Sequence, residues 1–171
     1  MVTAGCNQAF CLAIGALCAP GDDVVLVSPW YFNHEMWLRA NGITVSAVQA
    51  RAESGMLPTL EELGAAIGER TRAIVLVTPN NPCGVEYPAS LVHAVHDLAV
   101  AHDIVLVLDE TYDEFREHST PAHDLFTRSD WPRNLVQLYS FSKVFSLPGY
   151  RVGALVADPS VRSEEHTSEL Q

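Results

Sequence analysis

The chain has 171 residues, 48% of them hydrophobic and 18% charged, which suits one folded domain with a core of its own and excludes a disordered chain. A formal net charge of -11 without any Lys/Arg cluster excludes a nucleic-acid binder, because phosphate recognition relies on grouped cations. The longest apolar runs, such as Ile104–Leu108, fall far short of the roughly 20 residues of a membrane helix, and no basic-then-apolar leader opens the chain, so the expected location is cytoplasmic.

Taken in order, Val2-Thr3-Ala4-Gly5 reads as the end of a strand turning into a helix near Asn7–Leu17, so most of a first strand is expected to be missing. The turn Pro20-Gly21-Asp22-Asp23 leads to a strand at Val24–Val27, a helix near Phe32–Ala40, the turn Asn41-Gly42 and a strand at Ile43–Val48. A helix near Leu60–Ile67 precedes a strand at Ile74–Val77 and the turn Pro79-Asn80-Asn81-Pro82. A helix over Ser90–Ala101 then leads to strands at Ile104–Leu108, Leu135–Tyr139 and Val152–Val156.

Strands alternating with amphipathic helices imply right-handed βαβ units and an α/β fold, a mostly parallel sheet sandwiched by helices. One domain is expected over residues 1–161. After Asp158-Pro159 the hydrophobic pattern breaks, and residues 162–171 match the translation of a common sequencing-library adapter; they read as a non-native tail and are set aside. The domain is thus expected to be truncated at both ends.

Cys6, Cys11, Cys18 and Cys83 form neither a CxxC pair nor a regular framework, so reduced thiols are expected rather than a disulfide scaffold or zinc site. His93 and His96 share a helical face, but no second ligand pair accompanies them; they read as surface histidines, and no metal is expected.

In a parallel sheet, ligands gather at the carboxyl ends of the strands. The residues just past these strands are Ser28-Pro29-Trp30-Tyr31, Thr78-Pro79-Asn80-Asn81, Asp109-Glu110-Thr111-Tyr112 and Ser140-Phe141-Ser142-Lys143, which points to one shared site. Lys143 is the only lysine in the chain.

The segment from Ser140 through Lys143 and Gly149 to Arg151 resembles the lysine signature of class I/II aminotransferases, which are fold type I enzymes of pyridoxal 5'-phosphate (PLP). A lysine beside hydroxyls, with an arginine following, suits an aldehyde cofactor whose phosphate needs a cationic clamp. Further segments are similar to the same family in the same order: Thr3-Ala4-Gly5-Cys6-Asn7, Pro29-Trp30-Tyr31-Phe32-Asn33-His34, Asn80-Asn81-Pro82-Cys83-Gly84 and Asp109-Glu110-Thr111-Tyr112. Cys83 stands where the family usually has threonine, in a turn whose backbone proline and glycine set.

The resemblance implies a Schiff base between Lys143 and PLP, with Asp109 facing the pyridine nitrogen and keeping it protonated. It implies that Asn81 and Tyr112 address the phenolic oxygen, and that Tyr31 stacks on the ring while His34 supports Asp109 from behind. Gly5, Cys6, Asn7 and Ser140 cradle the phosphate at a helix N-terminus, with Arg151 as its main charge partner. Lys143, Asp109 and Tyr112 are the implied catalytic set.

The implied reaction moves an amino group from an amino acid to a 2-oxo acid, with Lys143 as general acid and base. Another reaction on the same scaffold, such as a C-S β-lyase, synthase or decarboxylase, stays open. A non-catalytic nucleotide-binding domain is disfavoured by the lack of a G-x-G-x-x-G or Walker A turn. In the family the arginine that binds the substrate carboxylate lies in a C-terminal domain, and a partner subunit of a homodimer contributes contacts. This chain is therefore expected to be inactive by itself and to expose apolar surface.

Overall fold

Apolar runs of five to seven residues, several rich in valine, form most of the strands of this computed structural model, which describes residues 1–116 and 122–161. The stretch read above as a non-native tail lies outside the described residues. In chain order the elements are β1 (Val2–Thr3), α1 (Cys6–Leu17), β2 (Asp23–Ser28), α2 (Phe32–Ala40), β3 (Thr44–Gln49), α3 (Leu60–Ala66) and β4 (Thr71–Val77). They continue with α4 (Ala89–Ala101), β5 (Val105–Asp109), α5 (Trp131–Asn134), β6 (Leu135–Ser140), α6 (Phe141–Val144) and β7 (Gly153–Ala157).

The strands form one seven-stranded sheet in the order β1-β7-β6-β5-β4-β2-β3. From β3 to β6 every pairing is parallel, whereas β7 runs antiparallel to both β6 and β1. The sheet is thus mostly parallel, as expected, with an antiparallel edge. The β6–β7 connection holds only the four-residue α6 and a short turn at Pro148–Tyr150, with no crossover helix long enough to return the chain for parallel pairing.

Alternation along the strands divides the core between two layers. Val24, Leu26, Ala73, Val75, Val105 and Val107 pack with Ala9, Phe10, Ala13 and Ile14 of α1 and Leu38 of α2. Val25, Val27, Ile74, Leu76, Leu106 and Leu108 pack with Leu63 of α3 and Val92, Val95 and Ala99 of α4. Continuous apolar strands covered on both sides are what a parallel sheet requires, since neither face can meet water. Thr59 caps the N-terminus of α3: its Oγ1 accepts from the Glu62 amide at 3.2 Å and donates to Glu62 Oε2 at 2.9 Å.

One expectation is corrected here. His96 is not a surface residue: its side chain is fully buried, on the α4 face that meets the sheet. The helical spacing that puts His93 and His96 on one side also turns His96 inward with Val92, Val95 and Ala99. His93 is half-buried, with Nε2 2.8 Å from Asp124 Oδ1. Among the described residues there is no cluster able to hold a metal, no disulfide, and no helix long and apolar enough to cross a membrane.

Candidate active site

β4, β5 and β6 are parallel neighbours, so their carboxyl ends open in one direction and their loops converge. There a cavity of about 240 Å³ is lined by Cys6, Asn7, Tyr31, Asn81, Asp109, Tyr112, Ser140, Lys143 and Arg151, together with Val77, Thr111, Ser142 and Pro148. A wider cavity of about 1060 Å³ adjoins it and shares Asn81, Tyr112, Ser142, Lys143 and Pro148. Lys143 therefore stands between an inner chamber and an outer one.

Asp109 is the last residue of β5 and is 4% exposed. Its Oδ1 accepts from the Thr111 amide at 3.0 Å and the Thr111 hydroxyl at 2.7 Å, while its Oδ2 lies 3.3 Å from His34 Nε2. Burial pushes this carboxyl up, but the hydrogen bond and charge of His34 and the donors of Thr111 outweigh it and hold Asp109 below the ordinary carboxylate range. His34 is fixed in turn by Phe10, stacked at 4.0 Å, and by the edge of Tyr31 at 5.3 Å. The anion is thus built in advance and faces the cavity.

Tyr31 caps the N-terminus of α2, and its hydroxyl accepts from Asn33 Nδ2 at 2.9 Å. Asn81 Nδ2 reaches the Tyr112 hydroxyl over a long 3.5 Å contact. Burial and the nearby Asp109 charge raise the Tyr112 phenol, which keeps its proton available for donation. Burial and Asp109 likewise push the Cys6 thiol far up, so it is neutral and no ready nucleophile.

The opposite wall is cationic. Gly5 caps α1 in a positive-φ conformation (+80°), no side chain caps that helix, and its first turn holds no acidic residue, so the positive end of the dipole is uncompensated. Arg151 lies against it. The positive φ favours glycine here, and a Cβ, 2.8 Å from Cζ, would push the Arg151 guanidinium out of its place. Arg151 Nη1 donates to Ser142 Oγ at 3.3 Å and to the Pro148 carbonyl at 3.2 Å, and no carboxylate of the described residues pairs with it. Ser140 caps α6, its Oγ accepting from the Ser142 amide at 3.2 Å, and Lys143 projects from that single turn. In so acidic a chain, a cavity with two cations free of carboxylate partners is an anion site by its donor set.

Every site residue named from the sequence lines this cavity except Gly5, which backs it through Arg151, and His34, which stands behind Asp109. Sequence reasoning passed over Thr111, whose hydroxyl two positions after a strand-end aspartate is a familiar side-chain turn signal. It also gave no role to Gly153: a Cβ there would lie 2.6 Å from Gly5 C and 2.8 Å from Cys6 N, so the start of β7 presses directly on the turn that opens α1. Nothing in a linear pattern marks that contact.

Fold and cavity together define a mostly parallel α/β domain whose strand ends gather an amine, a buried carboxylate and a guanidinium. The family model for aminotransferase class I and II matches residues 1–165, and the chain belongs to that family. It is 33% identical to an aspartate/prephenate aminotransferase of Thermus thermophilus, over 98% of this chain and 45% of that protein. It is 36% identical to an arginine–pyruvate transaminase of Pseudomonas aeruginosa, over 91% and 39% respectively. Among solved structures, an aromatic aminotransferase from Pyrococcus horikoshii superposes with a TM-score of 0.85 at 26% identity, covering 94% of this chain and 42% of that one. The chain therefore spans about two fifths of the length of such relatives.

Proposed function

We propose that the chain is the PLP-binding part of an aminotransferase that transfers an amino group from an amino acid to a 2-oxo acid, with Lys143 as the amine that engages the cofactor. The observation that carries this reading is the single cavity in which the Lys143 side chain, the buried Asp109 carboxylate and the carboxylate-free Arg151 guanidinium meet from three separate elements. The residues fit the group. An anionic carboxylate held by three donors suits a protonated ring nitrogen, and an uncapped helix N-terminus beside an arginine suits a phosphate.

When bound, PLP supplies an aldehyde that amines can add to and a ring that draws electrons from a neighbouring carbon. Asp109 keeps a proton on the ring nitrogen by staying ionised. Tyr112, protonated, and Asn81 donate toward the phenolic oxygen. Tyr31 offers its face to the ring, while Arg151, Ser140 and the Gly5-Cys6-Asn7 turn bind and orient the phosphate. Lys143 Nζ, lying between the two chambers, would serve as the general base and acid toward a substrate held there.

The names of the relatives favour amino-group transfer over elimination or decarboxylation. The whole protein is proposed to act as a cytoplasmic homodimer. The present chain, one domain over 1–161 followed by a non-native tail, is proposed to lack turnover by itself and to associate through exposed Phe32, Met36, Phe115, Phe145 and Tyr150. Borohydride reduction of the chain with PLP, followed by peptide mass analysis, is expected to place a pyridoxyl label on Lys143 and none on Lys143→Ala. A label scattered elsewhere, or none, would end the reading. Product analysis on the whole protein separates transfer, which yields a new amino acid, from lyase action, which yields ammonia and pyruvate.

A further inference from the structure

Asp109 has a neighbour that the proposed mechanism does not use. Glu110 is 1% exposed, on the opposite face of the sheet, although the chain continues from it directly into the turn that carries Thr111 and Tyr112. Its Oε2 accepts from Gln137 Nε2 of β6, and its Oε1 lies 3.3 Å from Nε2 of the buried His123. His123 Nδ1 accepts from the Leu125 amide at 3.2 Å, so the ring proton resides on Nε2 and faces Glu110. That approach is electrostatic, without the alignment of a full hydrogen bond.

The Glu110 backbone is tied at both ends. Its amide donates to the Leu138 carbonyl of β6 at 2.9 Å, and its carbonyl accepts from the Asp113 amide at 3.0 Å, closing the turn below Tyr112. A carboxylate in so apolar a layer is retained only where its contacts are held, because an unpaired buried charge is strongly disfavoured. Gln137 belongs to the strand that ends in Ser140 and leads to Lys143, so the contact also sets β6 against β5 at the floor of the cavity.

We infer that Glu110, held by Gln137 and His123 on the far face of the sheet, is the positioning residue that fixes the Asp109 carboxylate and the Tyr112 turn at the cavity. The part of this that concerns PLP rests on the function proposed above; the part that concerns Asp109 does not.

The test compares the chain with its Glu110→Ala and Glu110→Gln variants in two readouts. Without cofactor, amide hydrogen exchange is followed at Thr111, whose N–H donates to Asp109 Oδ1, with Val75 in β4 as the control for general loosening. Exchange at Thr111 is expected to rise roughly tenfold in Glu110→Ala, about the effect of losing one buried acceptor, and to stay within about twofold in Glu110→Gln, whose oxygen faces His123 while its NH2 donates to the Oε1 of a turned Gln137 amide. Unchanged Thr111 exchange in Glu110→Ala, or an equal rise at Val75, overturns the inference. With PLP, the pH midpoint of the bound cofactor's absorbance is expected to move in Glu110→Ala and return in Glu110→Gln; an unmoved midpoint overturns the link to the cofactor. If the parent chain takes up no PLP, the proposed function fails while the exchange readout still decides Glu110.

Discussion

Asp109 and Glu110 are neighbours in the chain, both almost fully buried, and each faces a histidine from its own side of the sheet. Asp109 continues the face of Val105 and Val107 toward α1, and Glu110 continues the face of Leu106 and Leu108 toward α4, so strand alternation runs past the end of β5. The difference lies in what else is near. Asp109 lines a cavity with Lys143 and Arg151, whereas Glu110 lines no cavity wall with them and is held by Gln137 and His123, with its charge also felt by Arg116. The same kind of carboxylate is placed for chemistry where open volume adjoins it, and for architecture where its oxygens are taken up by packed neighbours.

The strongest break of this comparison is Asp109→Ala. It removes the anion from the cavity and leaves His34 and Thr111 without their acceptor, and PLP affinity, measured by absorbance titration, is expected to fall by roughly 100-fold or more. The pH dependence has a definite sign. The folded-state pKa of Asp109 is depressed, so its stabilisation is present above its ordinary value of roughly 4 and is lost as pH falls through the lower folded value. Acid unfolding of the parent chain should therefore lose its advantage over Asp109→Asn only below about pH 4, with no change between about pH 5 and 8.

Gly153→Ala strains the cavity from its other wall, because the new Cβ meets the backbone of Gly5 and Cys6. A loss of about 2–3 kcal/mol in urea unfolding is expected, against about 0.5 kcal/mol for Gly68→Ala, where nothing lies within 4 Å. Thr111→Val, which deletes one donor to Asp109 and keeps the shape, should cost about 1–2 kcal/mol and weaken PLP binding in parallel. The smallest effect is expected outside both carboxylate environments: Arg39→Ala breaks an exposed pair with Glu35 at 2.8 Å and should shift stability by no more than about 0.5 kcal/mol. A large effect there would mean that surface charge, rather than the two buried carboxylates, holds this part of the domain.

Much of the fold was legible because its signals are local. Runs such as Val24–Val27 and Ile74–Val77 are apolar without alternation, as strands buried on both faces must be, and Pro20-Gly21 and Asn41-Gly42 punctuate them. The cavity residues were legible for a related reason: in parallel strands, chemistry collects where each strand ends, and Asp109 closes β5 while Asn81 and Lys143 sit in the turns just after β4 and β6. His96 was misread because helical spacing tells which residues share a face and leaves open whether that face meets water.

The amino-acid sequence by itself determined the alternation of strand and helix, the lysine, the carboxylate and the glycine turns, since each depends on residues a few positions apart. Only the tertiary structure decided the antiparallel return of β7, the press of Gly153 on Gly5, the approach of His34 to Asp109 and the burial of Glu110 against Gln137. Most of these join residues from different elements, through the close approach of backbone or the choice of partner for a buried charge, and such contacts arise when the layers pack.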